Sequence, residues 1–274
     1  MKIKTNGLEF HVRDSGGSGT PVILVHGFPD TGSLWRRQIA ALTAAGFRTI
    51  VPDMRGRGQS AKPATVTEYG LPKMVVDVTG ILDALEIPSA HVVGHDWGAA
   101  VAWLVASFAP ERVRKLVAIS VGFPGGGGPP DLESLQKMWY RILINSAAAE
   151  ELFQRNDWYL LRELMQKGGD VEQAIADLSE PGALTAAFNW YRANLPVERI
   201  VMPAGQVSSL PKVKASTLGI WSSGDVALTE RSMTRSSEMV EGGWRYERIE
   251  GVSHWIPLDA ADRLNELLLE FLAE

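Results

Sequence analysis

Residues 92–101 read VVGHDWGAAV. An apolar, β-branched run ends here and an alanine-rich run begins, with Gly94 and Gly98 on either side of a carboxylate, Asp96. The first run suits a strand buried on both faces, and the second suits a helix packed against it. The chain must therefore turn sharply out of a sheet at a charged residue. Two readings of Asp96 compete. Aspartate is a good helix N-cap, its carboxylate accepting from the free N–H groups of the first turn. A carboxylate on so tight a turn can also be aimed at a ligand as a nucleophile.

Outward from this stretch the chain alternates. Residues 9–14 (EFHVRD), 21–27 (PVILVHG), 47–53 (FRTIVPD), 91–94 (HVVG) and 113–120 (VRKLVAIS) read as strands. Between them lie helical patterns at 35–46, stopping at Gly46, and at 74–85 and 99–109. This rhythm predicts an α/β fold, a mostly parallel eight-stranded sheet with helices on both faces. It breaks at VGFPGGGGPP (121–130), and residues 131–208 read as mainly helical, with turns at LMQKGGD and LSEPGALT. It resumes with a strand at 216–225, a helix near 229–240, a strand at 244–251 and a helix at 262–274. The expected organisation is one core in two parts, 1–125 and 209–274, interrupted after its sixth strand by an inserted helical cap, 126–208. The glycine run at 125–128 reads equally as a hinge for that cap or as a plain surface loop.

Bulk properties exclude several classes. At 274 residues and 45% hydrophobic, the chain can bury a large core. A net charge of -5 offers no basic footprint for nucleic acid. No apolar run reaches the ~18 residues of a membrane span, and MKIKTNGLEF lacks the apolar stretch of a signal peptide. With no cysteine there is no disulfide, thiolate metal site or thiol nucleophile, and a cytoplasmic setting is expected. The nine tryptophans suit a large apolar pocket, or simply a core.

The frame GHDWG (94–98) fits the G-x-nucleophile-x-G elbow, with aspartate where serine is usual. Small flanking residues are required because the strand-to-helix turn leaves no room for side chains. Such an elbow aims its nucleophile off the carboxyl edge of the sheet, where open α/β sheets bind ligands. Two later residues complete a possible set. Asp225 follows LGIWSSG just past a strand, and His254 stands in GVSHWIP, in a loop after the next strand. The order nucleophile, acid, histidine is that of α/β-hydrolases. Asp225 could instead cap a turn, and His254 could be a packing histidine. His11 and His91 lie on strands, and His95 reads as a structural neighbour of Asp96. The segment after Ser120 holds no carboxylate and so no rival acid.

Together HGFP (26–29), DMRGRGQS (53–60), GHDWG, Asp225 and His254 resemble the α/β-hydrolase branch of soluble epoxide hydrolases and haloalkane dehalogenases, over nearly the whole chain. The resemblance implies an oxyanion hole from the backbone N–H groups of Phe28 and Trp97, a cis Phe28–Pro29 bond that would help turn the loop, and structural roles for the charges of DMRGRGQS. It implies that Asp96 attacks a saturated carbon and forms an ester, which water, activated by His254 with Asp225 behind it, then hydrolyses. No metal or organic cofactor is implied.

Within that branch the leaving groups differ. An alkoxide needs a proton as the epoxide ring opens, whereas a halide needs N–H donors. KMWYRILIN (137–145) and AFNWYRANLP (187–196) resemble the tyrosine-bearing segments of epoxide hydrolases, implying Tyr140 and Tyr191 as proton donors, with Tyr159 in reserve. Phe28 stands where many dehalogenases have a halide-binding asparagine. The expected function is hydrolysis of apolar or aromatic epoxides to diols, the substrate lying against Phe28, Trp97, Tyr140 and Tyr191. A haloalkane dehalogenase and a non-catalytic ligand receptor are the alternatives, and monomer and homodimer are both open. The expected partners are a small epoxide and water, with no nucleic acid and no membrane.

Overall fold

The computed structural model describes residues 1–125, 131–165, 168–198 and 210–274. Eight strands form one sheet: β1 (Lys2–Thr5), β2 (Leu8–Asp14), β3 (Pro21–Val25), β4 (Arg48–Pro52), β5 (Ala90–His95), β6 (Val113–Ile119), β7 (Ser216–Gly224) and β8 (Trp244–Ser253). Their order across the sheet is β1-β2-β4-β3-β5-β6-β7-β8, antiparallel where β2 meets β1 and β4, and parallel elsewhere. This matches the expected class. β1 has no counterpart in the sequence reading because it is an edge strand that buries only Ile3.

Three helices flank the first part of the sheet: α1 (Arg36–Ala44), α2 (Leu71–Ala84) and α3 (Trp97–Phe108). α3 is buried along nearly its whole length, as its run of alanine and valine requires. Between β6 and β7 come α4 (Leu132–Lys137), α5 (Trp139–Ile144), α6 (Ala149–Met165), α7 (Val171–Ser179) and α8 (Ala183–Asn194). α6 is interrupted by non-helical backbone at 155–158. α9 (Glu230–Thr234), α10 (Ile256–Asp259) and α11 (Ala261–Ala273) close the chain. The insertion thus follows the sixth strand. Most of the glycine run and both expected cap boundaries lie outside the described residues.

Polar anchors hold α8 against the core. Trp190 Nε1 donates to Arg55 O at 3.0 Å, Asn194 Nδ2 donates to Tyr69 O at 2.9 Å, and Leu71 N donates to Asn194 Oδ1 at 2.8 Å. The Arg55 loop is fixed in turn, because its buried guanidinium forks onto Asp77 at 2.5 and 2.6 Å. A bidentate pair of this kind has the geometry that offsets the cost of burying both charges.

Backbone packs closely on backbone at the turn after β5. Asp96 has φ 54° and ψ -124°, which a non-glycine residue adopts only where its surroundings impose it. A Cβ on Gly94 would lie 2.2 Å from Gly98 O, and one on Gly98 would lie 2.0 Å from Val25 O. Backbone meets backbone here, so nothing can yield. Gly98→Ala is expected to cost at least about 2 kcal/mol by overpacking. A drop of several degrees in the thermal midpoint, or insoluble expression, is the outcome to look for.

Candidate active site

Parallel strands put their carboxyl ends on one edge, and four segments leaving that edge converge. The loop after β3 brings His26, Gly27 and Phe28, and the turn after β5 brings Asp96. The loops after β7 and β8 bring Asp225 and His254. All three triad candidates are buried. Asp96 Oδ1 accepts from Phe28 N at 2.8 Å, and its Oδ2 lies 3.6 Å from His254 Nε2. On the far side of the ring, His254 Nδ1 and Asp225 Oδ2 are 2.8 Å apart, while Asp225 Oδ1 accepts from the N–H groups of Ala227 and Leu228, both at 2.8 Å. Asp225 is therefore occupied on both oxygens, and its orientation is fixed.

Asp96 is the N-cap of α3 by position, yet its side chain makes no capping hydrogen bond. It points the other way, toward the Phe28 N–H and His254. Gly27 permits this, since a Cβ there would lie 2.3 Å from Asp96 Oδ1 and 2.7 Å from Trp97 N.

Burial works against charge on Asp96, but His254 and the Phe28 N–H hold its carboxyl below the usual carboxylate value. Burial also opposes the imidazolium, but Asp225 and Asp96 together raise His254 well above its ordinary value. The resting site is an anion–cation–anion row. His95 packs beside it with ring centroids 4.8 Å apart, and its Nε2 meets His254 O at 2.9 Å. Burial, reinforced by the charge on His254, lowers His95 to about 4, so it stays neutral, in keeping with a structural neighbour.

Asp96 and His254 line a cleft with Phe28, Tyr140, Leu164, Tyr191, Ala227 and Trp255. Tyr140 comes from α5 and Tyr191 from α8, both buried, with ring centroids 5.9 Å apart. Trp97 does not line the cleft. It stands behind Tyr191, edge to face at 5.1 Å. Tyr159 is 54% exposed and takes no part. The charges of DMRGRGQS are structural as expected: Asp53 accepts from Gly32 N, and Arg57 donates to the carbonyls of Pro29 and Asp30. The Phe28–Pro29 bond is cis.

Two residues of the site carry no sequence signal of their own. His26 is a strut under the oxyanion loop. Its Nε2 accepts from Met54 N at 3.0 Å, which leaves Nδ1 to donate to Gly27 O at 3.0 Å. Burial lowers it to about 4, fixing that neutral tautomer. Asp30 is buried behind the triad and accepts from Trp255 Nε1 at 3.2 Å. Burial raises its carboxyl to about 7, against the pull of Arg57. Both lie within or beside the HGFP motif, but their roles depend on backbone partners far away in sequence.

Because folding raises His254, its linked stabilisation is complete below the ordinary imidazole value of ~6.5 and fades as pH rises through the folded value. Asp225→Ala removes one of the two carboxylates responsible. Nitrogen-15 NMR of the ring is expected to titrate at lower pH in this variant than in the wild type.

Comparisons with known proteins fit this geometry. A sequence model described as the α/β-hydrolase fold matches residues 20–154. The chain is similar to the AB hydrolase superfamily protein YfhM of Bacillus subtilis (strain 168), at 31% identity over 98% of this chain and 96% of the relative. It is 30% identical to Epoxide hydrolase A of Mycobacterium tuberculosis, over 98% of this chain and 96% of the relative. Among solved structures it resembles one described as novel epoxide hydrolases belonging to the α/β-hydrolase superfamily, from metagenomes of hot environments. That match has a TM-score of 0.89 and 27% identity, over 99% of this chain and 97% of the other.

Proposed function

This chain belongs to the epoxide hydrolase family of the α/β-hydrolase fold, and from that premise we propose that it converts apolar or aromatic epoxides to vicinal diols through an ester on Asp96. One observation carries the reading. A buried carboxylate, held on a strained turn, has one oxygen on a backbone N–H and the other facing His254, beneath two phenols. Phe28, Leu164, Ala227 and Trp255 supply an apolar lining that favours apolar substituents on the ring.

In the first step Asp96 Oδ2 attacks an epoxide carbon. The carbon–oxygen bond breaks with its electron pair on oxygen, and a phenol of Tyr140 or Tyr191 delivers the proton that keeps a basic alkoxide from forming. In the second step His254 takes a proton from water, whose oxygen attacks the ester carbonyl. Negative charge then gathers on Oδ1, which the Phe28 N–H already holds, and we assign the Trp97 N–H as the second donor. Collapse of this intermediate frees the diol oxygen, which takes the proton from His254. No metal or organic cofactor enters either step. We place the reaction in the cytoplasm, and assign residues 126–208 as the cap over a core of 1–125 and 209–274.

The charged resting row explains how the base becomes available. While Asp96 is an anion, His254 holds its proton between two carboxylates. Ester formation removes the Asp96 charge and leaves only that of Asp225, so the imidazole loses a stabilising partner when it must act as a base.

Asp96→Asn is expected to lower diol formation by about three orders of magnitude or more, measured by product chromatography. His254→Gln should form the ester but not release it, so intact-protein mass spectrometry should show an added mass equal to one epoxide. Absence of any adduct, or its placement away from Asp96, overturns the scheme. The imidazole of the ester form should titrate at lower pH than that of the free enzyme. Single-turnover hydrolysis followed across pH, set beside NMR of the resting enzyme, makes the comparison.

A further inference from the structure

Resting on that reading, we propose that Tyr140 is the phenol that surrenders its proton during ring opening, and that Arg141 is a positioning residue holding the resulting phenolate, while Tyr191 remains a neutral hydrogen-bond donor.

The two phenols look equivalent in their placement but differ in their surroundings. Arg141 Nε donates to the Tyr140 hydroxyl at 3.2 Å, and its guanidinium carbon lies 5.6 Å from the centre of the same ring. Among the described residues no carboxylate is within ion-pair distance of Arg141. The other arginines of the inserted helices, Arg155, Arg162 and Arg192, each pair with a glutamate. A cation bonded to a cleft phenol with no carboxylate in ion-pair range, and only the longer-range field of Asp96 acting on it, is positioned for negative charge that appears on that phenol during the reaction. Its hydrogen bond to the phenol oxygen has one charged partner at rest and becomes an ion pair, and so stronger, once the phenol ionises. Because Arg141 accepts no hydrogen bond, the Tyr140 O–H is left free to point into the cleft.

Tyr191 has the opposite environment. Burial pushes its hydroxyl well above the ordinary phenol value, and Tyr140 and Asp96 push it further, against weaker pulls from Trp97 and Arg141. Among the described residues no cation hydrogen-bonds its hydroxyl, so a phenolate formed there would lack the partner that Arg141 gives Tyr140. Among the described residues the titratable groups facing Tyr140 are few. Arg141 shares its helix, Tyr191 comes from α8, Asp96 from the turn after β5, and His254 from the loop after β8. α6 contributes only Leu164, and Lys137 of α4 is turned away onto the carbonyls of Asp225 and Leu228.

The proton balance closes. Tyr140 gives its proton to the epoxide oxygen as Asp96 forms the ester. One proton of the hydrolytic water passes through His254 to the released diol oxygen. The other is left on the Asp96 carboxyl and passes to His254, restoring the resting imidazolium; the proton that His254 had released to the medium once the ester removed the Asp96 charge is matched by the one the Tyr140 phenolate regains from it. One epoxide and one water have then become one diol.

The test follows ester formation in single turnover with styrene oxide, by tryptophan fluorescence quenching and mass spectrometry. Its variants are Arg141→Met, Arg141→Lys, Tyr140→Phe, Tyr191→Phe and the double variant Tyr140→Phe/Arg141→Met. Arg141→Met should slow ring opening about tenfold or more while leaving ester hydrolysis within about twofold, and Arg141→Lys should recover much of the loss. Its alkaline limb for ring opening should move to higher pH by about one unit, the effect of removing an opposite charge. In the Tyr140→Phe background Arg141→Met should add almost nothing, and Tyr140→Phe should slow ring opening more than Tyr191→Phe. Equal losses with and without Tyr140, an unmoved alkaline limb, or a larger loss in Tyr191→Phe overturns the assignment but leaves the ester mechanism standing. No ester in the wild-type enzyme overturns both.

Discussion

Everything at the site depends on the space around one turn. The chain leaves β5 and enters α3 so closely that backbone oxygens of Val25 and Gly98 occupy the places where Cβ atoms of Gly98 and Gly94 would stand. That contact imposes positive φ on Asp96 and lifts its side chain off the helix it would otherwise cap. Gly27 then allows the carboxylate to approach the Phe28 N–H. Nucleophile placement, oxyanion hydrogen bond and sheet edge are therefore one packing problem solved by three missing methyl groups.

Electrostatics complete what packing begins. Four of the chain's five histidines, His26, His91, His95 and His254, are buried, and the three beside the elbow part company according to their partners. His26 and His95 hydrogen-bond to backbone groups and have no carboxylate bonded to them, so burial keeps them neutral. His254 lies between Asp96 and Asp225, so the same burial fails to discharge it. An identical side chain becomes a strut in one place and an ion in another, and the difference is the two carboxylates within 4 Å.

Most of this architecture was legible in the sequence because its signals are local. Buried parallel strands read as continuous apolar runs, and glycine spacing marks the elbow wherever it occurs. Asp225 and His254 could be picked out because each follows a recognisable strand. What stayed hidden depends on distance along the chain. β1 is a short edge strand with a single buried side chain. His26 acquires its role from Met54 N, and Asp30 from Trp255. Trp97, expected against the substrate, packs edge to face on Tyr191, a contact set by a helix far along the chain. Tyr159 stands in the same sequence region as Tyr140 and faces solvent, since only the path of α6 decides which side of the helix meets the core.

The anchoring of α8 has a bearing on stereochemistry. Trp190 and Asn194 tie that helix to the Arg55 loop and to the start of α2, so Tyr191 keeps a set position relative to Asp96. The opposite wall, built from Tyr140 and Leu164, meets the core through fewer such ties, chiefly Lys137 to the carbonyls of Asp225 and Leu228. Preference between mirror-image substrates is a comparison of two poses against one rigid reference. Evolutionary or laboratory tuning of handedness therefore has its levers on the α5–α6 side, where the shape of the wall can change without moving the attacking oxygen.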